Sequence, residues 1–528
     1  MLQTDRHALI TTLLRRARSN SKNNITFWHD GKREQIDFKS FFDKVDEYTR
    51  KFSQLKNSGL TTIGIFRQSD IYWLITDLAC LRVGIITLAL PEQLPTSQLK
   101  ELCSEYQLRL VITSSAGINR LTKADYHGRA LTIGEKDVGN QRIEDCPSAD
   151  FLITQAVTES YYTICFSSGT MRLSKALRIP YFLAETELRD DVGTHPKILV
   201  WMPFTHFIQR LVAFRALTLG YDLVISTPPL ALHHMSSEKP THMVCAAYFY
   251  ESLARLIDQK LRTMSKGRRF IINALSFLKL NRLSPDNFIR KIVDQLILKE
   301  ISALYGGRAR EFIWNGSSVS TQAIALLDKV GLQVFGAYGI SEIGSISTDR
   351  RSTFALGSVG HPDREVKISN EGEILVRGDA NVRDWEYVIK DLDGFIHTGD
   401  SGFLKKGSLF VEGRLDDIIV LKNGKNIRPY ELEGELILET QAERVCVFSR
   451  DGQRITAVLF MPTLELSESC YIESCIRKIN NRLEPHERIF EYLCVHSSVE
   501  LGSNLTHSLK LKRAAVILKF GNSQFSLI

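Results

Sequence analysis

The sequence has no uninterrupted apolar run long enough to span a bilayer. Its longest apolar stretch, Ile71 to Pro91, is broken by Asp77 and Arg82, and it predicts a buried helix followed by a strand. The opening residues, MLQTDRHALITTLLRRARSNSK, lack a long apolar core and a small-residue cleavage site. They read as an amphipathic, basic start and not as a secretory signal. Among nine cysteines there is no Cys-x-x-Cys pair. The number is odd, and Cys80, Cys165 and Cys446 sit in apolar runs, which argues against a disulfide framework or zinc site and for reduced thiols in a cytoplasmic protein. Internal repeats and low-complexity tracts are missing as well. So is a strong charge imbalance: 67 Lys and Arg against 60 Asp and Glu give +7, too little to imply nucleic acid, and the basic residues are scattered without interleaved aromatics. A mild positive excess suits polyanionic small molecules or an acidic protein.

What is present is an ordinary globular composition, 44% hydrophobic and 24% charged, in 528 residues. That length supports several packed lobes. Strand-like and helix-like runs alternate, which predicts α/β layers. Phe41, Val45, Tyr48, Phe52 and Leu55 recur at helical spacing, and Thr62 to Phe66 follows as a buried strand. Tyr161 to Phe166, Lys197 to Met202 and Gln333 to Ala337 are further strands, the first and last ending in polar turns. Near residue 400 come short strands with Gly turns: Phe395 to His397, Leu409 to Val411 and Ile418 to Val420. Beyond these, a smaller α/β unit is expected, with strands Arg444 to Phe448 and Ile455 to Phe460 and a helix Tyr471 to Leu483.

Four segments carry candidate chemistry. Phe166-Ser167-Ser168-Gly169-Thr170-Met171-Arg172-Leu173-Ser174-Lys175-Ala176 follows a strand and offers N–H groups, hydroxyls and a Lys to phosphate oxygens. It is not the Gly-x-x-x-x-Gly-Lys-Ser/Thr nucleotide loop, and taken alone it reads first as a plain polar turn. Tyr338-Gly339-Ile340-Ser341-Glu342 also follows a strand, where α/β sheets hold ligands. A Glu there can hold Mg²⁺, or the segment is simply a capped helix start. Thr398-Gly399-Asp400 puts a carboxylate on a tight turn able to grip two ribose hydroxyls, and Gly413-Arg414 lies one β-hairpin further on. Leu505 to Arg513 is a basic stretch near the carboxyl terminus, by default a solvated end. So is the cluster Arg262, Lys266, Arg268 and Arg269, which leaves room for peripheral membrane contact at most.

Taken together and in order, these segments resemble the adenylate-forming superfamily, most closely its long-chain fatty acyl-CoA synthetases. The resemblance runs from about Phe38 to Arg513. Further matches are Trp201-Met202-Pro203-Phe204-Thr205-His206-Phe207-Ile208-Gln209-Arg210, Lys239-Pro240-Thr241 through Tyr250-Glu251, Gly357 to Pro362, Gly424-Lys425-Asn426-Ile427 and Leu509 to Arg513. The fold this implies is α/β: a large multi-lobed N-terminal domain of mixed sheets and helices, residues 1–415, and a small mobile α/β C-terminal domain, residues 416–528. The activity it implies is ATP-dependent conversion of a carboxylic acid, a fatty acid first of all, to acyl-AMP and then to a thioester. Coenzyme A is the leading acceptor and the phosphopantetheine of an acyl carrier protein the alternative. ATP and Mg²⁺ are the implied cofactors.

Residue by residue, the resemblance implies a phosphate loop of Ser167, Ser168, Gly169, Thr170 and Lys175. His206 falls at the acyl and thiol side, and Gly316, Ser317 and Ser318 wall the adenine. Tyr338 and Gly339 lie beside the adenine, Ser341 meets phosphate, and Glu342 holds Mg²⁺. Asp400 and Arg414 bind ribose, and Asp416 is the hinge. Gly424 and Lys425 serve the thiol step, Phe207 and Ala337 border the acyl pocket, and Lys510 is the catalytic lysine. The chemistry suits these residue types. A carboxylate must attack an α-phosphate of like charge, and an ammonium between them lowers that barrier. The phosphate loop departs from the family at Arg172, Ser174 and Ala176, where Gly, Pro and Gly are usual. Asp384-Trp385-Glu386-Tyr387 replaces a Tyr-x-x-x-Pro-Glu-x-Thr pattern. The altered phosphate loop alone keeps open a degenerate member that binds nucleotide or acyl ligand without turnover, against which stand Glu342, Asp400, Arg414 and Lys510.

Overall fold

The computed structural model describes residues 23–134, 161–166, 176–180, 196–277, 287–289, 291–292, 298–340, 343–351, 354–378, 391–461, 469–500, 503–505 and 511–528. The chain forms two compact units, Met1–His234 and Met235–Ile528. The boundary expected at 415/416 falls inside the second.

The first unit opens with β1 (Asn24–His29), β2 (Lys32–Asp37) and helix α1 (Phe38–Asn57). Asp37 caps α1 by accepting from the Ser40 N–H at 2.7 Å, and the apolar residues spaced along it are all buried. β3 (Thr62–Phe66) leads to α2 (Ile71–Val83), capped by Asp70 and closed by Gly84 at φ 76°. α2 is buried almost all round, so the broken apolar stretch is a core helix, and β4 (Ile86–Ala89) is the strand after it. Then come α3 (Thr96–Glu105), β5 (Leu110–Thr113), α4 (Ser115–Lys123), β6 (Arg129–Thr132), β7 (Tyr161–Phe166) and β8 (Ala176–Pro180). They build a sheet in the order β6-β5-β3-β4-β7-β8, parallel except for β8. A second run joins β9 (Lys197–Val200), β10 (Asp222–Ile225), β1 and β2, with α5 (Phe207–Leu219) between β9 and β10.

In the second unit, β11 (His242–Ala246), α6 (Ala247–Thr263), α7 (Lys266–Phe277), β12 (Glu311–Asn315), α8 (Thr321–Lys329) and β13 (Val334–Ile340) follow in order. β11, β12 and β13 are parallel neighbours, and β14 (Gly344–Thr348) and β15 (His361–Pro362) extend them in antiparallel fashion. An antiparallel sheet holds β16 (Val366–Ile368), β17 (Glu373–Arg377), β18 (Phe395–Lys405) and β19 (Ser408–Arg414). Two of the short strands expected near residue 400, Phe395 to His397 and Leu409 to Val411, are thus the arms of one long hairpin, while Ile418 to Val420 lies outside it. A register shift at Ser401/Gly402 breaks the two-residue alternation and disguises its length in the sequence.

A 3₁₀ turn, Leu415–Asp417, leads to β20 (Ile419–Val420), β21 (Asn426–Ile427), α9 (Pro429–Thr440), β22 (Arg444–Phe448), β23 (Ile455–Phe460), α10 (Ser469–Asn480), β24 (Ile489–Val495), α11 (Arg513–Phe520) and β25 (Ser526–Leu527). The two strands expected here match residue for residue. Leu436, Val447, Ala457, Leu459, Ile472 and Ile476 form their own buried cluster. α9 packs closely on α8, because Gly434 leaves no room there for a side chain. A Cβ would stand 2.2 Å from Ser320 Cβ. Glu431 accepts from the Thr321 hydroxyl at 2.9 Å and the Thr321 N–H at 3.2 Å across the same contact.

The eight described cysteines are free, six of them buried. No helix among the described residues is long and apolar enough to cross a membrane. The basic cluster is engaged at the surface: Arg262 pairs with Asp258 and Arg268 with Glu300, as expected of a solvated helix end.

Candidate active site

The hairpin β18–β19 sets Asp400 directly opposite Arg414. Arg414 Nη1 donates to Asp400 Oδ1 at 3.3 Å and to the Thr398 carbonyl at 3.0 Å. Gly399 makes room for that guanidinium. Its φ is 70°, and a Cβ there would lie 2.8 Å from Arg414 Nη2. Thr398 to Asp400 lie inside β18 and not on the tight turn expected; Glu373 of β17 fastens them by accepting from the Gly399 N–H at 2.8 Å, and the Thr398 hydroxyl donates to the Ile374 carbonyl at 2.7 Å.

Tyr338, near the end of β13, reaches the same carboxylate and donates its hydroxyl to Asp400 Oδ2 at 2.8 Å. Burial, and then the Asp400 charge, push the Tyr338 phenol well above its ordinary value, so it stays a donor. The turn at Gly316, φ 79°, leads to Ser318, whose hydroxyl donates to the Val411 carbonyl of β19 at 2.7 Å. Gly316, Ser318, Tyr338, Asp400 and Arg414, far apart in sequence, are therefore drawn onto one hairpin. Asp400 is 13% exposed and Arg414 51%. A part-buried carboxylate beside a half-exposed guanidinium can accept from vicinal hydroxyls while the cation faces an anion.

The remaining predicted residues are placed as follows. Ser317 is in the Gly316 turn, Ala337 is on β13 opposite Thr348, and Gly339 approaches the Gly344 backbone. Asp416 is in the 3₁₀ turn, and Gly424 and Lys425 form the exposed tip between β20 and β21, where Gly424 takes φ 79°. In the first unit His206 is the N-cap of α5, and Phe207 is buried with its ring 6.4 Å from that of Tyr162 on β7. Ser167, Ser168, Gly169, Thr170, Lys175, Ser341, Glu342 and Lys510 lie outside the described residues.

Sequence reading missed the group that holds α5 in place. Arg210, one turn after His206, is fully buried and donates through Nε (3.1 Å) and Nη2 (2.5 Å) to the equally buried Asp77 of α2. Its Nη1 donates to the Thr163 hydroxyl of β7 at 2.8 Å, and the guanidinium lies 4.7 Å from the Trp73 ring centroid. The signal was Asp77, one of two charges inside the apolar stretch from Ile71, which spoke against a membrane span but not for a partner.

Residues 14–384 match the AMP-binding enzyme family, and residues 416–523 match the AMP-binding enzyme C-terminal domain. The chain belongs to the AMP-binding enzyme family. Long-chain-fatty-acid–CoA ligase FadD15 of Mycobacterium tuberculosis is 25% identical over 424 residues, spanning 70% of this chain and 68% of that protein. The chloroplastic long-chain-fatty-acid–[acyl-carrier-protein] ligase AEE15 of Arabidopsis thaliana is 22% identical over 502 residues, 75% of this chain and 68% of its own. Among solved structures, the adenylation domain of a Mycobacterium chelonae carboxylate reductase superposes with a TM-score of 0.77 at 13% identity, covering 97% of this chain and 90% of that one. The o-succinylbenzoate CoA synthetase of Bacillus subtilis, bound to its acyl-adenylate, gives 0.69 at 17%, covering 98% and 99%. The α/β fold of this AMP-binding enzyme is thus that of known adenylation domains.

The donor set fits a nucleotide. Asp400 can accept from ribose hydroxyls, and Arg414 can face a phosphate or the same ribose. No group of three or more His, Cys, Asp or Glu able to hold a metal occurs among the described residues. Mg²⁺ bound between one carboxylate and substrate phosphates needs no such cage.

Proposed function

We propose that this adenylate-forming enzyme activates a fatty acid as its acyl-AMP and passes the acyl group to the thiol of coenzyme A, in the cytoplasm. The observation that carries the reading is the Tyr338–Asp400–Arg414 constellation, a carboxylate oriented by two donors at the strand ends of an AMP-binding fold. The names of the relatives supply the acid and the acceptor.

In the first step a carboxylate oxygen of the acid attacks the α-phosphorus of ATP. The bond to the bridging oxygen breaks and pyrophosphate leaves. Both reactants are anions, so the Lys510 ammonium is assigned to the space between them, and Ser167, Ser168, Gly169, Thr170, Lys175 and Ser341 to the phosphates. Glu342 would hold Mg²⁺, which when bound neutralises polyphosphate charge. Asp400 and Arg414 hold the ribose, while Tyr338 and Gly316 to Ser318 flank the base. In the second step the thiol adds to the adenylate carbonyl, AMP departs and the thiol proton is lost. His206 is assigned to that side, with Phe207 and Ala337 bordering the acyl chain. A C-terminal domain turning at Asp416 would withdraw Lys510 and bring in Gly424 and Lys425.

A second reading rests on the resemblance to the Arabidopsis acyl-carrier-protein ligase: the acceptor is a carrier's phosphopantetheine thiol. Acid-dependent ATP–pyrophosphate exchange over a panel of chain lengths tests the first step. Lys510→Ala should lower it roughly 10²–10³-fold. No exchange with any acid refutes the enzyme reading. Coenzyme A and a holo carrier offered side by side test the acceptor, and thioester on the carrier alone reverses the choice.

A further inference from the structure

Arg513 follows Lys510 by three residues and opens α11. As part of a basic tail it was expected in solvent, yet its side chain is only 19% exposed. The guanidinium grips Glu433 of α9 in a fork, Nη1 to Oε1 at 2.6 Å and Nη2 to Oε2 at 3.2 Å. Nη1 also donates to the Val447 carbonyl of β22 at 2.5 Å, and Glu433 accepts in return from the Val447 N–H at 2.8 Å. On its other edge, Nε stands 3.6 Å from Asp417 in the turn beside the hinge residue. One part-buried cation thus ties together the 3₁₀ turn at 415–417, helix α9, strand β22 and the start of α11.

The chain just before Arg513 is pinned as well. Leu505 and Leu511 form an antiparallel bridge, and the Lys512 N–H donates to the Asn504 carbonyl at 2.7 Å. Leu511 packs on the buried cluster of Cys446, Phe448, Val458, Phe460 and Val516. Leu511, the residue that follows Lys510 in the sequence, is thus a fixed base.

We propose that Arg513 is a positioning residue that locks Leu511, Lys512 and itself, the residues that follow Lys510 in the sequence, to the hinge turn and α9, and so sets where Lys510 is presented. The inference rests on the reading of Lys510 as the first-step cation. A planar two-pronged donor does what a lysine cannot, because a point charge cannot satisfy both Glu433 oxygens and the Val447 carbonyl at fixed angles. If the base shifts by about 1 Å, the ammonium misses the reacting oxygens, which can lower a rate on the order of 10²-fold.

The test compares the half-reactions of full-length Arg513→Lys and Glu433→Gln, the second of which keeps shape and volume. Pyrophosphate exchange should fall at least roughly 10-fold in kcat with KM for ATP nearly unchanged, while transfer from supplied acyl-adenylate to coenzyme A should fall less than about threefold. In a Lys510→Ala background the same substitutions should have no further effect on residual exchange, because the group they position is gone. Equal loss in both half-reactions, or equal loss with and without Lys510, assigns Arg513 to general folding and overturns the proposal. Unchanged exchange in both variants, while Lys510→Ala is impaired, overturns it too. Unchanged exchange in Lys510→Ala removes the catalytic reading itself, and this proposal with it.

Discussion

Removing Arg210 should open the core of the first unit. Arg210→Met replaces a fully buried guanidinium by an apolar side chain and strands Asp77, which has no exposure to water. The change deletes two charged hydrogen bonds to Asp77, one to Thr163 and the contact over Trp73. Breaking a buried pair from one side costs about 3–5 kcal/mol, most of it the uncompensated charge. Asp77→Leu should cost a similar amount by stranding the cation. The double variant should recover most of the loss, because two apolar residues leave no charge behind. The nearby hydroxyls still have partners there: Thr87 Oγ1 lies 2.9 Å from Thr163 Oγ1, and the Thr163 hydroxyl donates to the Thr87 carbonyl at 2.9 Å. A two-unit chain does not give one clean unfolding transition, so the assay is hydrogen exchange of peptides covering α2, β4, β7 and α5. At about 1.4 kcal/mol per decade, each single variant should exchange on the order of 10²–10³ faster there. Single-variant effects below about tenfold, or a double variant as fast as the product of the two, would refute the reasoning.

Asp400→Asn should raise the KM for ATP roughly 10–100-fold at saturating acid, since hydrogen bonds to a charged acceptor are worth about 1.5–3 kcal/mol, and an unchanged KM argues against the ribose assignment. Glu251 of α6, 8% exposed, accepts from the Ser320 N–H at 2.6 Å and hydroxyl at 3.1 Å. Burial pushes its carboxyl up to about 7, with the Glu431 charge raising it further and Ser320 and Arg444 pulling it down. The folded state therefore holds a proton that the unfolded chain releases above the ordinary 4.5, and the stability this confers is lost as pH rises through 7. Across that window the wild type should weaken relative to Glu251→Gln by up to about 3 kcal/mol, read as faster hydrogen exchange of peptides covering α6 and α8, and parallel pH profiles would dismiss the effect. Gly434→Val should force α9 off α8, since the space is already taken by Ser320, and cost about 1–3 kcal/mol, read as faster hydrogen exchange of peptides covering α8 and α9, whereas wild-type exchange would mean that the close approach is unimportant.

Much of this protein was legible from local pattern. α1 is a helix because its apolar side chains recur on one face, and β22 and β23 are strands because their short apolar runs end at turns. These are properties of neighbours in sequence, so the sequence alone determined them, as it did the order of motifs that points to the AMP-binding family. The geometry of the site was decided by tertiary structure. Tyr338 meets Asp400 only because β13 and β18, 62 positions apart, bring them within a hydrogen bond. Asp77 looked like a flaw in an apolar run and Arg513 like part of a solvated tail. Asp77 is a buried ion and Arg513 a part-buried one, and their partners, Arg210 and Glu433, lie 133 and 80 residues away. A charge in a sequence carries no record of its burial. Whether it is solvated or paired depends on which distant side chain the fold brings against it, and that pairing is made only when the layers pack.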